Sequence, residues 1–186
     1  MLKKFLMTAG LLVLCAPISY SAEKVELITG FEDEADADSW TADDGMEIAA
    51  ENATEGKNSM KVTYTAEEEK EKRFILEGKK FESIFPGEWS EYKSLKVDIF
   101  NSNDKEAVLQ VRIKSDDQQK KWTKAFKLPE KRSTTLDIPM SDLRAKVSLE
   151  TITYLGFAMG KNQYLTNMKP FTSDFILFFD NIRLIK

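Results

Sequence analysis

Apolar and polar residues alternate with a period of two in several short segments of this chain, and this pattern limits what it can fold into. The alternation runs through residues 60–65, 95–100 and 109–114. Each segment would form a strand with one apolar and one polar face, because successive side chains of a strand point to opposite sides. Strands with one buried and one solvated face are typical of antiparallel sheets. The alternation therefore predicts an antiparallel β-protein.

Seven further short segments are predicted as strands, and turn-forming residues separate them. Ten short strands in a chain without an internal repeat or linker predict a single all-β domain, an antiparallel β-sandwich of the jelly-roll type. Only two segments look helical: 141–144, which Ser141 could cap, and 66–73, interpreted as a solvated charged loop or turn. The acidic run 33–38 is also interpreted as a solvated loop. The seven further strands are 25–28, 46–50, 74–77, 122–128, 134–139, 152–159 and 175–184.

The first 21 residues have the three parts of a secretory signal peptide. Lys3 and Lys4 form a basic head, an apolar run covers residues 5–15, and Ser19 and Ser21 stand at the spacing that a signal peptidase reads. The apolar run is shorter than the ~20 residues that span a bilayer, so no membrane span is expected. We therefore expect a signal peptide over 1–21, a sandwich domain over 24–186, and a secreted or periplasmic protein.

The charged and reactive residues that remain after removal of the signal peptide exclude several function classes. Removal of Lys3 and Lys4 leaves 25 basic residues against 31 acidic ones, which argues against a nucleic-acid partner. The chain has no histidine, and its only cysteine, Cys15, leaves with the signal peptide. Attachment of a lipid to Cys15 is the alternative, although Leu14 stands where a small residue would be expected. Histidine-dependent triads and histidine-ligated zinc or iron are excluded, so a binding protein is favoured over an enzyme.

Six segments, spread in order along most of the chain after the signal peptide, together resemble one family. They are 31–32, 55–62, 89–101, 108–113, 135–140 and 179–184. The sequence resembles the exported carbohydrate-binding modules of the galactose-binding-domain-like jelly-roll type. This resemblance implies a β-sandwich that binds carbohydrate without catalysis.

The resemblance also implies a structural calcium ion. Its ligands would be the carboxylates of Glu32 and Asp180, with backbone oxygens near Lys57, because calcium prefers several oxygen ligands. Asp180 has an independent argument, since it lies in the apolar stretch 175–184, where a lone carboxylate is costly. In the alternative, Asp180 caps a turn or pairs with Arg183 or with a lysine.

A candidate glycan-binding face follows from the strand pattern. Gln110, Arg112 and Lys114 line one side of a strand, and an antiparallel neighbour would place Trp122 beside Lys114. Tyr154 lies on a later strand, opposite in phase to its apolar neighbours. Aromatic and planar hydrogen-bonding side chains on one face are suited to a sugar chain. The alternative is an ordinary charged outer face.

The sequence thus predicts a monomeric, non-catalytic module that binds a polysaccharide or oligosaccharide on the polar face of one sheet. A protein of a different class remains as the alternative. In that case the same sandwich would serve a structural or assembly protein of the cell envelope, and the sheet would hold a protein partner.

Overall fold

The computed structural model describes residues 23–67, 70–116, 120–160 and 173–186. The signal-peptide prediction over 1–21 lies outside these residues. The strands in the described part are β1 Val25–Thr29, β2 Thr41–Ala42, β3 Met46–Ala49, β4 Ser59–Tyr64, β5 Glu71–Glu77, β6 Ser94–Asn101, β7 Ala107–Ser115, β8 Lys121–Leu128, β9 Arg132–Pro139, β10 Ile152–Gly160 and β11 Phe175–Ile185. The helices are α1 Glu34–Asp38, α2 Gly78–Ile84 and α3 Met140–Arg144.

The strands form two antiparallel sheets, so the predicted all-β sandwich is confirmed. Five strands of the six-stranded sheet follow the order β3–β4–β11–β6–β9. The sixth strand, β1, pairs with residues 182–185 of β11, beyond the residues that pair with β4. The five-stranded sheet has the order β2–β5–β10–β7–β8. Sequence neighbours such as β7 and β8 pair as hairpins, whereas β10 lies between β5 and β7.

The alternating apolar side chains meet between the two sheets. Phe157 of β10 and Phe179 of β11 belong to different sheets, and their ring centres are 4.9 Å apart. Phe74 of β5 contacts both rings, and Trp40 stacks on Phe74 at 4.5 Å. Full burial of one such ring stabilises a fold by roughly 1.5–3 kcal/mol. The aromatic cluster therefore joins the sheets at the centre of the core.

The charged segment predicted as a loop is partly a strand. Residues 71–73 begin β5, which continues through the buried Phe74, Ile75 and Leu76. Glu71 and Arg73 point to the outer face of the five-stranded sheet, where charge is tolerated. The charged composition hid a strand, because only its second half carries an apolar signal.

The helices also differ from the sequence expectations. The acidic run 33–38 contains α1, and the Asp33 carboxylate accepts a hydrogen bond from the N–H of Asp36 at 3.0 Å. Helix α2 was not predicted; it buries Phe81 against Phe85. Helix α3 confirms the predicted turn, but Ser141 lies within it and provides no cap. Across the described ranges, no helix is long and apolar enough to cross a membrane.

Candidate functional site

Strand register sets which side chains share the outer face of the five-stranded sheet. Gln110, Arg112 and Lys114 of β7 stand opposite Ala158, Gly156 and Tyr154 of β10. The same β10 residues stand opposite Arg73, Ile75 and Glu77 of β5. Four of the five residues predicted to bind a ligand are therefore on one face: Gln110, Arg112, Lys114 and Tyr154.

Trp122 is the exception, and its predicted position is wrong. It pairs with Ile113, whose side chain faces the core, whereas Lys121 is the residue opposite Lys114. A shift of one residue moves a strand side chain to the other face. The Trp122 indole is accordingly only 7% exposed and belongs to the hydrophobic core. Its outer edge lines a separate groove of about 570 Å³ between β8 and α3.

Arg112 is held by its own sheet. Its Nη2 donates to Glu71 Oε1 and to Gln110 Oε1, each at 2.7 Å. Because β10 lies between β5 and β7, the guanidinium must reach across the central strand to meet Glu71. Arg112 is 8% exposed and Gln110 is 1% exposed. These two predicted residues therefore contribute to the face through hydrogen bonds to each other and to Glu71, while Arg112 Nε is buried with no hydrogen-bond partner among the described residues.

Tyr154 lies flat on the sheet beside Lys114. A Cβ at Gly156 would come within 2.7 Å of Tyr154 Cζ, so only glycine leaves room for the ring in this position. The ammonium of Lys114 lies 4.1 Å from the ring centre, a cation–π contact. Burial raises the pKa of the Tyr154 phenol and lowers the pKa of Lys114, and the nearby charge of Arg112 lowers the Lys114 value further.

A bulge near the start of β10 adds a second side chain to this end of the face. The pairing of β10 with β7 shifts between Ile152 and Tyr154, so Thr153 is the extra residue. Bulges re-aim side chains and are common beside functional sites. Thr153 and Tyr154, although consecutive, line the same pocket.

We call this cavity the strand-end pocket. Its volume is about 460 Å³, and three neighbouring strands contribute to its lining. Gly78, with φ of 62°, turns the chain from β5 into α2 at its margin. The lining residues are Glu77, Gly78, Lys114, Asp116, Thr153 and Tyr154.

The strand-end pocket offers both hydrogen-bond donors and acceptors. Among the described residues, the Lys114 ammonium forms no ion pair, and the Tyr154 hydroxyl forms no hydrogen bond. Glu77 and Asp116 supply carboxylate oxygens, and Thr153 supplies a hydroxyl that can donate and accept. Such a set can bind a ligand that carries several hydroxyl groups, each of which donates and accepts.

Four of these lining residues were missed from the sequence. Glu77, Asp116 and Thr153 are separated by long stretches of chain and meet only through strand pairing. The bulge that directs Thr153 outward has no marker in the sequence, and Gly78 is one glycine among eight. The available signal was the set of polar residues at and just beyond the ends of the predicted strands 74–77 and 109–114.

The predicted calcium ligands lie near each other on the other sheet. Gly30 separates them: a Cβ there would be 3.9 Å from both Asp180 Oδ1 and Glu32 Cγ. Glu32 Oε1 accepts hydrogen bonds from the backbone N–H groups of Asn58 and Lys57, and these bonds lower the pKa of the Glu32 carboxyl. Glu32 thereby fastens the 57–58 segment to the start of the domain.

Asp180 is 1% exposed, and hydrogen-bond donors surround its carboxylate. Its Oδ2 accepts from the N–H groups of Thr54 and Glu55 and from the Thr54 hydroxyl, and its Oδ1 accepts from the N–H of Asn181. Arg183 pairs instead with Asp98, which stands opposite Asp180 in the β6–β11 pairing. The burial of Asp180 is thus explained by backbone donors.

These contacts bear on whether the two residues fit a calcium ion. The groups directed at their carboxylates are N–H and O–H donors, whereas calcium needs oxygen ligands. In the parts of the chain that the structure describes, no group of three or more His, Cys, Asp or Glu side chains could hold a metal ion. As arranged, these residues are satisfied as hydrogen-bond acceptors, and calcium stays a prediction from the sequence.

Neither a family model nor a curated protein matches the sequence. Solved structures do match the fold. The family 11 carbohydrate-binding module of the cellulosomal cellulase Lic26A-Cel5E of Clostridium thermocellum has 18% identity and a TM-score of 0.57, covering 88% of this chain and 95% of that one. The same kind of module, solved in complex with a β-1,3-1,4-mixed-linked tetrasaccharide, has 20% identity and a TM-score of 0.56, covering 88% and 96%.

An agarase matches through part of its length. It has 9% identity and a TM-score of 0.63, and the match covers 86% of this chain but 24% of the enzyme. The sandwich thus corresponds to a whole module in one case and to a fraction of an enzyme in the other. The chain has the jelly-roll β-sandwich fold of these carbohydrate-binding modules, as its sequence predicted.

Proposed function

We propose that this chain is an exported, non-catalytic carbohydrate-binding module that holds a polysaccharide or oligosaccharide on the outer face of its five-stranded sheet. After cleavage of the 1–21 signal peptide, the mature domain would act outside the cytoplasm as a monomer. The observation that carries it is the strand-end pocket, in which Lys114 without an ion pair and a Tyr154 hydroxyl without a hydrogen bond, as far as the described residues go, stand beside two carboxylates.

The fold supports this assignment. Modules that share it include one solved with a bound mixed-linked tetrasaccharide. Sugars are recognised by donors and acceptors placed around an aromatic ring, and the strand-end pocket has this composition. Gln110 and Arg112 act here as the scaffold that fixes the face, while Lys114 and Tyr154 contact the ligand.

Retention on polysaccharide gels tests the proposal. The mature protein is run through native gels that contain mixed-linked β-glucan, agarose or soluble cellulose derivatives, and is applied to an array of plant, algal and bacterial glycans. We expect retention by at least one glycan and a weaker retention for Lys114→Ala. Lys127→Ala is the matched control, because Lys127 lies on the outer face of the same sheet and pairs with Glu106, away from the pocket.

Three results would decide against the proposal. The absence of binding to every glycan would contradict it, and a stoichiometric envelope protein recovered without sugar dependence would favour the assembly role. Release of reducing ends from a retained polysaccharide would contradict the non-catalytic assignment. In that case Glu77 and Asp116 would be the carboxylates to replace, since glycosidases use two such groups.

A further inference from the structure

Resting on this proposed function, we infer that the strand-end pocket takes the end of a glycan chain, about one or two sugar residues, rather than the middle of a continuous polysaccharide. The inference comes from how the rest of the outer face is filled by its own side chains.

The middle of the face is closed by an ion pair. The central strand β10 presents only small residues outward after Tyr154, namely Gly156, Ala158 and Gly160. Such a row would be the floor of a trough for an extended chain. The Arg112–Glu71 pair crosses this floor, and Ala158 is buried. The ion pair therefore covers this floor halfway along the sheet, and an extended glycan cannot lie on it.

The aromatic content of the face leads to the same conclusion. Tyr154 is the one aromatic side chain that strand register places on the outer face among the described residues of this sheet. Its ring lies over Gly156, with the Lys114 ammonium 4.1 Å from its centre. An extended sugar chain is held best by several rings in a row, each stacked on one sugar. Tyr154 is 5% exposed, with Gly156 under its ring and the Lys114 ammonium over it, so the described outer face offers no row of open rings to an extended chain.

The polar groups of the pocket suit a terminal sugar. A terminal residue has a free hydroxyl where an internal residue has a glycosidic bond, so it presents more donors and acceptors on its outer edge. Lys114, Thr153 and the Tyr154 hydroxyl can donate to these groups, and Glu77 and Asp116 can accept from them. The chain behind the terminal sugar would leave the pocket toward solvent.

Titration calorimetry with oligosaccharides of increasing length tests the inference. The probes are mixed-linked β-gluco-oligosaccharides, agaro-oligosaccharides and the matching series from any other glycan retained in the screen, each with two to eight sugar residues, beside the parent polymer. We expect the dissociation constants of the trisaccharide and the hexasaccharide to agree within about threefold. We also expect the number of sites on the polymer to equal the number of its chain ends of one kind, since the two ends of a glycan chain differ chemically.

The possible failures are distinguishable. Affinity that rises about tenfold or more from three to six residues, or many sites along each polymer chain, would overturn the chain-end inference and leave the proposed function standing. A lack of binding by every oligosaccharide and polymer would overturn both.

Removing the Arg112–Glu71 ion pair gives an independent test. Arg112→Ser opens the trough over Ala158, so we expect the hexasaccharide to gain affinity over the trisaccharide. Arg112→Gln, whose shorter side chain cannot reach Glu71 across β10, replaces Arg112→Ser if that variant does not fold. The control is Arg73→Ser, whose guanidinium lies on the same face and pairs with Asp43. If the affinity of the folded Arg112 variants depends on oligosaccharide length as that of the wild type does, the role of the ion pair is contradicted.

Discussion

Trp122 stands opposite Ile113 in the pairing of β7 with β8, so its indole faces the core and not the outer face of the five-stranded sheet. Trp122→Ala should therefore lower stability, by about 3–5 kcal/mol, as for other buried aromatic residues. Urea unfolding measures this loss. The folded fraction should keep its glycan affinity, measured under native conditions. A stable Trp122→Ala variant that no longer binds glycan would show that the indole contacts the ligand.

Tyr154→Phe should weaken glycan binding with little effect on folding. The hydroxyl forms no hydrogen bond among the described residues, so its removal leaves no buried partner unsatisfied. Loss of one hydrogen bond to a ligand costs about 0.5–1.5 kcal/mol, or roughly two- to tenfold in the dissociation constant.

The control for this variant is Tyr92→Phe. The Tyr92 hydroxyl donates to Glu26 at 2.5 Å, away from the strand-end pocket, and burial together with this bond raises the pKa of Tyr92 to about 12. Tyr92→Phe should cost stability and leave affinity unchanged. Equal affinities of Tyr154→Phe and the wild type would remove the Tyr154 hydroxyl from the binding site.

Protonation of Asp98 should make the domain less stable in acid. Burial alone raises its pKa, but hydrogen bonds from Thr135 and Arg183 outweigh burial, so the pKa of folded Asp98 lies below its ordinary value. A lowered folded pKa contributes stability that is complete above the unfolded pKa and is lost as the pH falls through the folded one. The contribution is therefore present at neutral pH and lost below about pH 4.

Thermal unfolding from pH 7 to pH 2 measures this effect. Asp98→Asn should lower the melting temperature at pH 7 and flatten its acid dependence, because Arg183 loses its charged partner. Asp137→Asn, a change at an exposed residue of β9, serves as the control. Parallel pH profiles for Asp98→Asn and wild type would contradict the assignment.

Calcium can be tested separately from the hydrogen bonds of Asp180. Asp180→Asn places an amide where backbone N–H groups converge, so it should cost about 1–3 kcal/mol whether or not metal is present. If calcium is bound between Glu32 and Asp180, a chelator should lower the melting temperature of the wild type by several degrees, and added calcium should restore it. An unchanged melting curve would contradict the calcium prediction and leave the hydrogen bonds as the reason for the burial of Asp180.

The sequence by itself determined the sandwich and the composition of its outer face. Period-two alternation specifies a strand and its two faces locally, so β4, β6 and β7 follow directly from residues 60–65, 95–100 and 109–114. The absence of histidine, read directly from the sequence, excluded histidine-dependent triads and histidine-ligated zinc or iron, and Cys15 is the one cysteine of the chain. Gln110, Arg112, Lys114 and Tyr154 were placed on one face because each is in phase with its strand.

Only the tertiary structure decided which of these residues line a pocket. The phase of β8 depends on its pairing with β7, and a difference of one residue moved Trp122 to the core. The strand-end pocket depends on an unmarked bulge at Thr153 and on strands brought together from distant parts of the chain. The Arg112–Glu71 pair spans a strand that lies between its partners. Periodicity is a local property, whereas register, bulges and contacts across a strand are set by packing between segments far apart in sequence.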